Sequence, residues 1–320
     1  MTYILFFIAL FAIELIYFKI ANSFNIIDKP NERSSHSDVT LRGGGIIFYI
    51  GVLMNFLFEG FQYPLFFIGL TFITFVSFAD DLHSQSSKLR LTVQFAAMAL
   101  MFYQWGLYSQ HWYFALIALV FCTGILNAFN FMDGINGITG GYSLVVIGAL
   151  WYINTYTIPF VDTSFIYAVI SALLVFNFFN FRTKAKCFAG DVGAVSIAFI
   201  VLFLLGLLVI RTGDFSYIII LVVYGIDTVL TIIHRLVLKE NIFQPHRMHA
   251  FQIMANELKI PHVLVSSFYG FLQILILIGY FVFKQYSYWY LGIIALILSL
   301  CYLLFKMKFF KLHKLSSDIS

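Results

Sequence analysis

The chain has 320 residues, 61% of them hydrophobic and only 11% charged, with a mean hydropathy of +0.92. A soluble domain is roughly half apolar and a quarter charged, so this composition excludes a soluble globular protein. The net charge of +4 comes from cations scattered over short loops, which reads as membrane orientation; no nucleic-acid partner is expected.

Apolar stretches long enough to cross about 30 Å of hydrocarbon as helices recur along the whole chain. They run over residues 2–20, 43–58, 62–78, 90–107, 111–128, 137–153, 160–180, 192–210, 214–234, 263–283 and 287–305, eleven in all. Fusing the short second and third would leave ten. The expected fold class is all-α, a polytopic integral membrane protein forming one domain over residues 1–320. The first stretch has no basic region before it and contains Glu14, so it reads as a retained helix rather than a removable signal. The cysteines, Cys122, Cys187 and Cys301, are dispersed and odd in number, which implies neither a disulfide framework nor a metal site.

Lys and Arg are retained on the cytoplasmic side, and alternate loops differ sharply in them. With eleven spans, 17 of the 19 cations fall on one side and only Arg211 and Lys284 on the other. The N-terminus is then outside and the C-terminus cytoplasmic. Every polar motif able to do chemistry falls on the cation-rich side.

The first inside loop contains Asp28 and Arg33 and ends Arg42-Gly43-Gly44-Gly45. Glycines opening a helix allow close backbone approach, either to a phosphate at the helix N-terminus or to a neighbouring helix. Arg33 and Arg42 are candidate phosphate partners. The third span ends in Asp80-Asp81, followed by Lys88 and Arg90. Adjacent carboxylates near hydrocarbon require a compensating cation. Successive helical residues also point about 100° apart, so the two carboxylates are expected to have different roles.

The fifth span ends in Asn127, Asn130, Asp133 and Asn136, with Gly134 and Gly137 between and after. Oxygen-bearing side chains every three residues form a polar stripe that suits a hard cation, a sugar or a base. Gly190 and Gly193 bracket Asp191 before the eighth span. Asp227 lies inside the ninth span, where pairing with His234 or Arg235, two turns along the same face, is the simplest structural explanation. The last long loop holds His246-Arg247-Met248-His249, too few ligands for zinc and better suited to phosphate contact by Arg247 with hydrogen bonding by His246 and His249. Trp112, Tyr113, Tyr288 and Trp289 read as interfacial anchors.

In this order and on one side, Asp80-Asp81, the Asn127–Gly137 stretch, Gly190-Asp191-Val192-Gly193 and His246-Arg247-Met248-His249 resemble the polyprenyl-phosphate N-acetylhexosaminyl-1-phosphate transferase family. This is glycosyltransferase family 4, and the resemblance covers residues 28–262. The Asp28–Gly45 segment is similar to the bacterial branch that begins O-antigen or capsule polysaccharides. Two positions depart from the family pattern: Ala194 stands where Ser is common, and Thr183-Lys184 where Pro is common.

The resemblance implies transfer of an N-acetylamino-sugar 1-phosphate, foremost GlcNAc-1-phosphate, from a UDP-sugar to undecaprenyl phosphate with release of UMP. It places the active site on the cytoplasmic face of a bacterial inner membrane and allows a homodimer. Asp80 and Asp81 would then sit at the lipid phosphate, and Asp191 with Asn130 would hold Mg²⁺, or Mn²⁺ in its place. Lys88, Asn127, Asp133, Asn136, His246, Arg247 and His249 would contact nucleotide, sugar or phosphates. Two other classes compete. A transporter or flippase would spread its ionisable groups along a midplane pathway. A Mg²⁺-dependent prenyltransferase would carry a second Asp-rich repeat, yet no Asp follows Asp81 until Asp133.

Overall fold

A computed structural model describes residues 3–30, 39–241 and 246–317, with side chains to 310. Helices occupy all eleven expected stretches: α1 (Tyr3–Ser23), α2 (Ile46–Phe58), α3 (Pro64–Leu82), α4 (Ser87–Gln104), α5 (Trp112–Met132), α6 (Ile138–Tyr156), α7 (Thr163–Asn180), α8 (Gly190–Thr212), α9 (Val222–Val237), α11 (His262–Val282) and α12 (Ser287–Ser317). A short α10 (Ala250–Asn256) was not foreseen in the last long loop. The protein is an all-α polytopic membrane protein. Among the described residues, eight helical segments are long and apolar enough to cross a membrane. The exceptions are α2, only 13 residues long, and α4 and α6, whose lengths suffice but which carry more polar residues such as Lys88, Arg90 and Asn154.

α8 is the central post. Its sequence is apolar on every side, and 78% of its most apolar window is buried against other helices, compared with 11% for α12 at the periphery. A helix without a polar face is stable only when surrounded, here by α2, α3, α5 and α6. Outer helices instead show one packed stripe. α1 buries Phe6, Leu10, Glu14, Tyr17 and Ala21 at intervals of three to four residues and leaves Ile8, Ile16 and Ile20 exposed to lipid.

α2 packs on α8 through glycines. A Cβ on Gly45 would collide with the Gly193 backbone, and the Gly44 and Gly45 N–H groups donate to the carbonyls of Phe188 (2.9 Å) and Ala189 (3.1 Å). Two of the Gly43–Gly45 amides are thus spent on the neighbouring segment, and the glycines permit a close helix contact.

Two loop features lay outside the helical reading. β1 (Ile27–Asp28) and β2 (Thr40–Leu41) pair antiparallel, and Leu41 bridges in parallel to Cys187. This ties the start of α2 to the approach of α8. The ninth span is not one straight helix either, because residues Phe215–Leu221 form a 3₁₀ turn leading into α9. Such irregular backbone survives at membrane depth only where protein satisfies it. Gln273 does so, donating to the Ile219 carbonyl and accepting from the Val223 N–H and the Tyr142 hydroxyl.

Candidate active site

The motifs on the cation-rich side meet at one end of the bundle. The C-terminus of α3 brings Asp80 and Asp81 to the N-terminus of α8, where Asp191 begins the helix. Asp81 accepts the Asp191 N–H at 2.9 Å and the Val192 N–H at 3.0 Å, one with each carboxylate oxygen. These are N–H groups that a helix start leaves without partners, and a carboxylate there also favours the helix dipole. Gly190 makes the contact feasible: its φ is +70°, and a Cβ would lie 2.5 Å from the Asp81 carboxylate.

Two arginines bind the acids together. Arg42 Nε lies 2.7 Å from Asp81 and its Nη2 3.8 Å from Asp191, while Arg90 Nη1 lies 2.9 Å from Asp80 and 3.5 Å from Asp191. Burial opposes the charge on Arg42, but the Asp81 and Asp191 carboxylates outweigh it and hold the guanidinium more firmly protonated than usual. Asp80 also accepts the Gln85 N–H at 2.5 Å and shares a side-chain hydrogen bond with Asp191. Asp80 and Asp81 turn to different partners, Asp80 to Arg90 and the Gln85 N–H, Asp81 to Arg42 and the start of α8. The Asp81 side chain is fully buried and committed to α8 and Arg42, whereas Asp191 is the most accessible of the three at 22% exposure.

Arg90 was not among the expected site residues, and it pairs with Asp80 and Asp191. Ser86 caps α4 by accepting the Leu89 N–H, and this start places Lys88 outward, exposed, while Arg90 faces the acids. Both cations follow Asp80-Asp81 closely, so only the helix phase distinguishes them. Arg33 lies outside the described residues.

The end of α5 forms the adjoining wall. Asp133 accepts the Thr139 hydroxyl at 2.6 Å, and burial pushes its carboxyl up to about 6, with the negative charge of Asp81 adding to the shift against the Thr139 hydrogen bond. Asn136 is buried and donates its side-chain amide to the carbonyls of Arg182 (2.9 Å) and Thr183 (3.1 Å), so it anchors the loop between α7 and α8. Asn180 continues that seam, accepting the Gly137 N–H and donating to the Cys187 carbonyl. Asn127 donates to the Thr123 carbonyl one turn back along α5. Asn130 is half-buried one turn beyond Asn127 on α5.

The His246–His249 segment closes the next side. The His246 and His249 rings lie 6.0 and 6.4 Å from the Phe131 ring. His249 begins α10 in a reciprocal capping arrangement with Gln252 and is almost wholly buried. Its Nδ1 lies 3.2 Å from Asp227 Oδ1, which also accepts the Ala250 N–H, while Asp227 Oδ2 accepts the Tyr269 hydroxyl at 2.6 Å. The sequence reading of Asp227 as structural stands, but its expected pairing with His234 or Arg235 does not. Arg235 instead bonds Glu240 (3.1 Å) and the Asn241 carbonyl (2.7 Å). Nothing in helical spacing could show that the acid would be met by a loop 22 residues on. His249 Nε2 is left buried without a hydrogen-bond partner. Arg247 lies 3.9 Å from Glu257. Burial pushes the His246 imidazole down to about 3, and the charges of His249, Arg235 and Lys306 add to this, so His246 is neutral throughout the physiological range.

Among the described residues, no three His, Cys, Asp or Glu side chains form a ready metal-ligand group. The most accessible donors are the carboxylate oxygens of Asp191, those of Asp80 less so and those of Asp81 buried. That fits a hard divalent ion completing its shell with phosphate and water better than one held in a protein cage.

Residues 63–211 match the family described as Glycosyl transferase family 4. A probable undecaprenyl-phosphate N-acetylglucosaminyl 1-phosphate transferase of Bacillus subtilis (strain 168) is 27% identical over 253 residues, 72% of this chain and 70% of that protein. The undecaprenyl-phosphate alpha-N-acetylglucosaminyl 1-phosphate transferase of Escherichia coli (strain K12) is 29% identical over 219 residues, 62% of this chain and 60% of that protein. The Yersinia pestis protein of that name is 29% identical over 222 residues, 63% and 61% of the two chains. The chain thus spans 60 to 70% of the length of these relatives. The matched segment runs through α3 to α8 and contains Asp80, Asp81, Arg90, Asp133 and Asp191 together, so this part of the chain is similar to glycosyl transferase family 4.

Proposed function

We propose that this protein transfers an N-acetylamino-sugar 1-phosphate, foremost GlcNAc-1-phosphate, from a UDP-sugar to undecaprenyl phosphate, releasing UMP and starting a lipid-linked polysaccharide. The observation that carries this reading is the convergence of Asp80, Asp81 and Asp191 with Arg42 and Arg90 at one end of a membrane bundle. The names of the relatives support undecaprenyl phosphate as the acceptor and N-acetylglucosamine as the sugar. The excess of cations on this side supports a cytoplasmic active site in the bacterial inner membrane, with the N-terminus outside and the C-terminus inside.

The acceptor phosphate has a second pKa of about 6 and is mostly dianionic at neutral pH, so little deprotonation is required. The larger difficulty is to bring two phosphate-bearing anions beside three carboxylates. Arg42 and Arg90 already lie among those carboxylates and would turn part of their charge toward incoming phosphate oxygens, holding acceptor and diphosphate for in-line displacement. A divalent ion, Mg²⁺ or Mn²⁺, held by Asp191 and Asn130 would neutralise charge on the diphosphate. Asp81 acts as a positioning residue by fixing the start of α8 and hence the direction of Asp191. Asp80 orients Arg90. Asp133, Asn127, His246 and Arg247 form the surrounding face available to sugar and nucleotide, with His249 buried behind them.

Exchange of radiolabelled UMP into UDP-GlcNAc by purified protein tests the reading. It should require polyprenyl phosphate and a divalent cation, and stop on chelation. Protein that is folded and lipid-replete yet catalyses no exchange with any UDP-N-acetylamino sugar would refute it.

A further inference from the structure

We propose that the cleft between the end of α1 and the loop joining α7 to α8 is a headgroup site for an anionic phospholipid, separate from the carboxylate cluster. The cleft encloses about 610 Å³ and is lined by Lys19, Lys184 and Lys186 together with Phe18, Val39 and Leu41. Among the described residues, no acidic side chain lines it. The ion pairs that hold Asp80, Asp81 and Asp191 use Arg42 and Arg90 and none of these lysines.

Three ammonium groups around one concavity suit the oxygens of a phosphate monoanion or diester, since Lys acts as a compact charge with rotatable donors. The apolar part of the lining selects an amphiphile over a free ion. So does the setting: Ile16 and Ile20, 55% and 47% exposed on α1, form a lipid-facing row that runs down to Lys19 and Phe18. An acyl chain against that row would bring its phosphate to the lysines at the hydrocarbon boundary, on the side already rich in cations. The floor of the cleft is β2, whose next residue is Arg42, so an occupant would steady the strand that delivers this arginine to Asp81.

Native mass spectrometry of delipidated full-length protein, titrated with phosphatidylglycerol or phosphatidylcholine, provides the test. Wild type should retain one phosphatidylglycerol at least tenfold more tightly than phosphatidylcholine. The triple variant Lys19→Gln, Lys184→Gln, Lys186→Gln should lose that preference, while Arg211→Gln, at the other end of the bundle, should keep it. Ala185→Trp fills the cleft without changing charge and should also lose the bound lipid, which keeps the test decisive if the triple variant fails to fold. Equal retention of the two lipids by wild type, or unchanged preference in Ala185→Trp, overturns the proposal. Undecaprenyl phosphate serves as competitor: failure to displace phosphatidylglycerol supports a phospholipid site, and one-for-one displacement would make the cleft an acceptor site instead.

Discussion

Asp81 at the end of α3 accepts both the Asp191 and Val192 N–H groups at the start of α8, at 2.9 and 3.0 Å, so one carboxylate seals a helix start and aims its neighbour. The three acids therefore answer differently to substitution. Asp81→Asn presents an NH₂ group to N–H donors and leaves Arg42 without its closest partner, a loss of about 3 kcal/mol for a broken buried pair. Thermal unfolding in detergent should show a clear drop for Asp81→Asn and little change for Asp191→Asn, although both lose turnover. Equal midpoints for the two variants would count against the positioning role.

Arg90, not Lys88, faces Asp80 and Asp191. Arg90→Gln should lower the rate about 100-fold, the order expected from removing a charge-assisted contact of about 2–3 kcal/mol. Lys88→Gln should change it less than about threefold, equivalent to under 1 kcal/mol for an exposed charge. Steady-state UMP release on the two variants decides this, and a reversed order would show that the two cations had been wrongly ranked.

Glycine substitutions should separate by contact. Gly190→Ala forces an L-residue to φ +70° and sets its Cβ 2.5 Å from the Asp81 carboxylate. A cost of at least about 1–2 kcal/mol and loss of activity are expected. Gly45→Ala should push α2 off α8. Gly124→Ala and Gly148→Ala, whose added methyl groups meet nothing within 4 Å, should behave like wild type. Unfolding midpoints across this series provide the check.

Two groups make opposite contributions to pH dependence. Asp133 holds its proton up to about 6, above the ordinary carboxylate value of 3.8, so the stability it lends is present in acid and is lost as pH rises through about 6. His246 titrates near 3 in the fold, below the usual 6.5, so its contribution is present at neutral pH and is lost as pH falls from 6.5. Relative to wild type, Asp133→Asn should gain stability between pH 4 and 6 as pH rises, and His246→Gln should gain as pH falls over the same interval. Parallel profiles for all three proteins would contradict both assignments.

Asp227, His249 and Tyr269 form one buried unit. Tyr269→Phe should cost about 1–3 kcal/mol by leaving a buried oxygen short of a donor. A double-mutant cycle of Asp227→Asn with His249→Gln should show coupling of roughly 1–3 kcal/mol, as expected for residues in one network. Strict additivity would mean that the pair is not energetically linked.

The bundle was legible in the sequence because hydrocarbon permits so few solutions: apolar length and the distribution of Lys and Arg locate helices and their shared polar end before any contact is known. The same reasoning marked Asp80, Asp81, Asp133, Asp191 and His249, since ionisable groups at membrane boundaries stand out against 61% apolar residues. Tertiary structure decided what each one touches. Arg90 rather than Lys88 follows from the phase of α4, the use of Gly45 from the approach of α8, and the meeting of Asp227 with His249 from a loop folding back over 22 residues. Helical spacing fixes neighbours three and four residues apart along one element, but partners on different helices depend on packing and rotation that no single segment encodes.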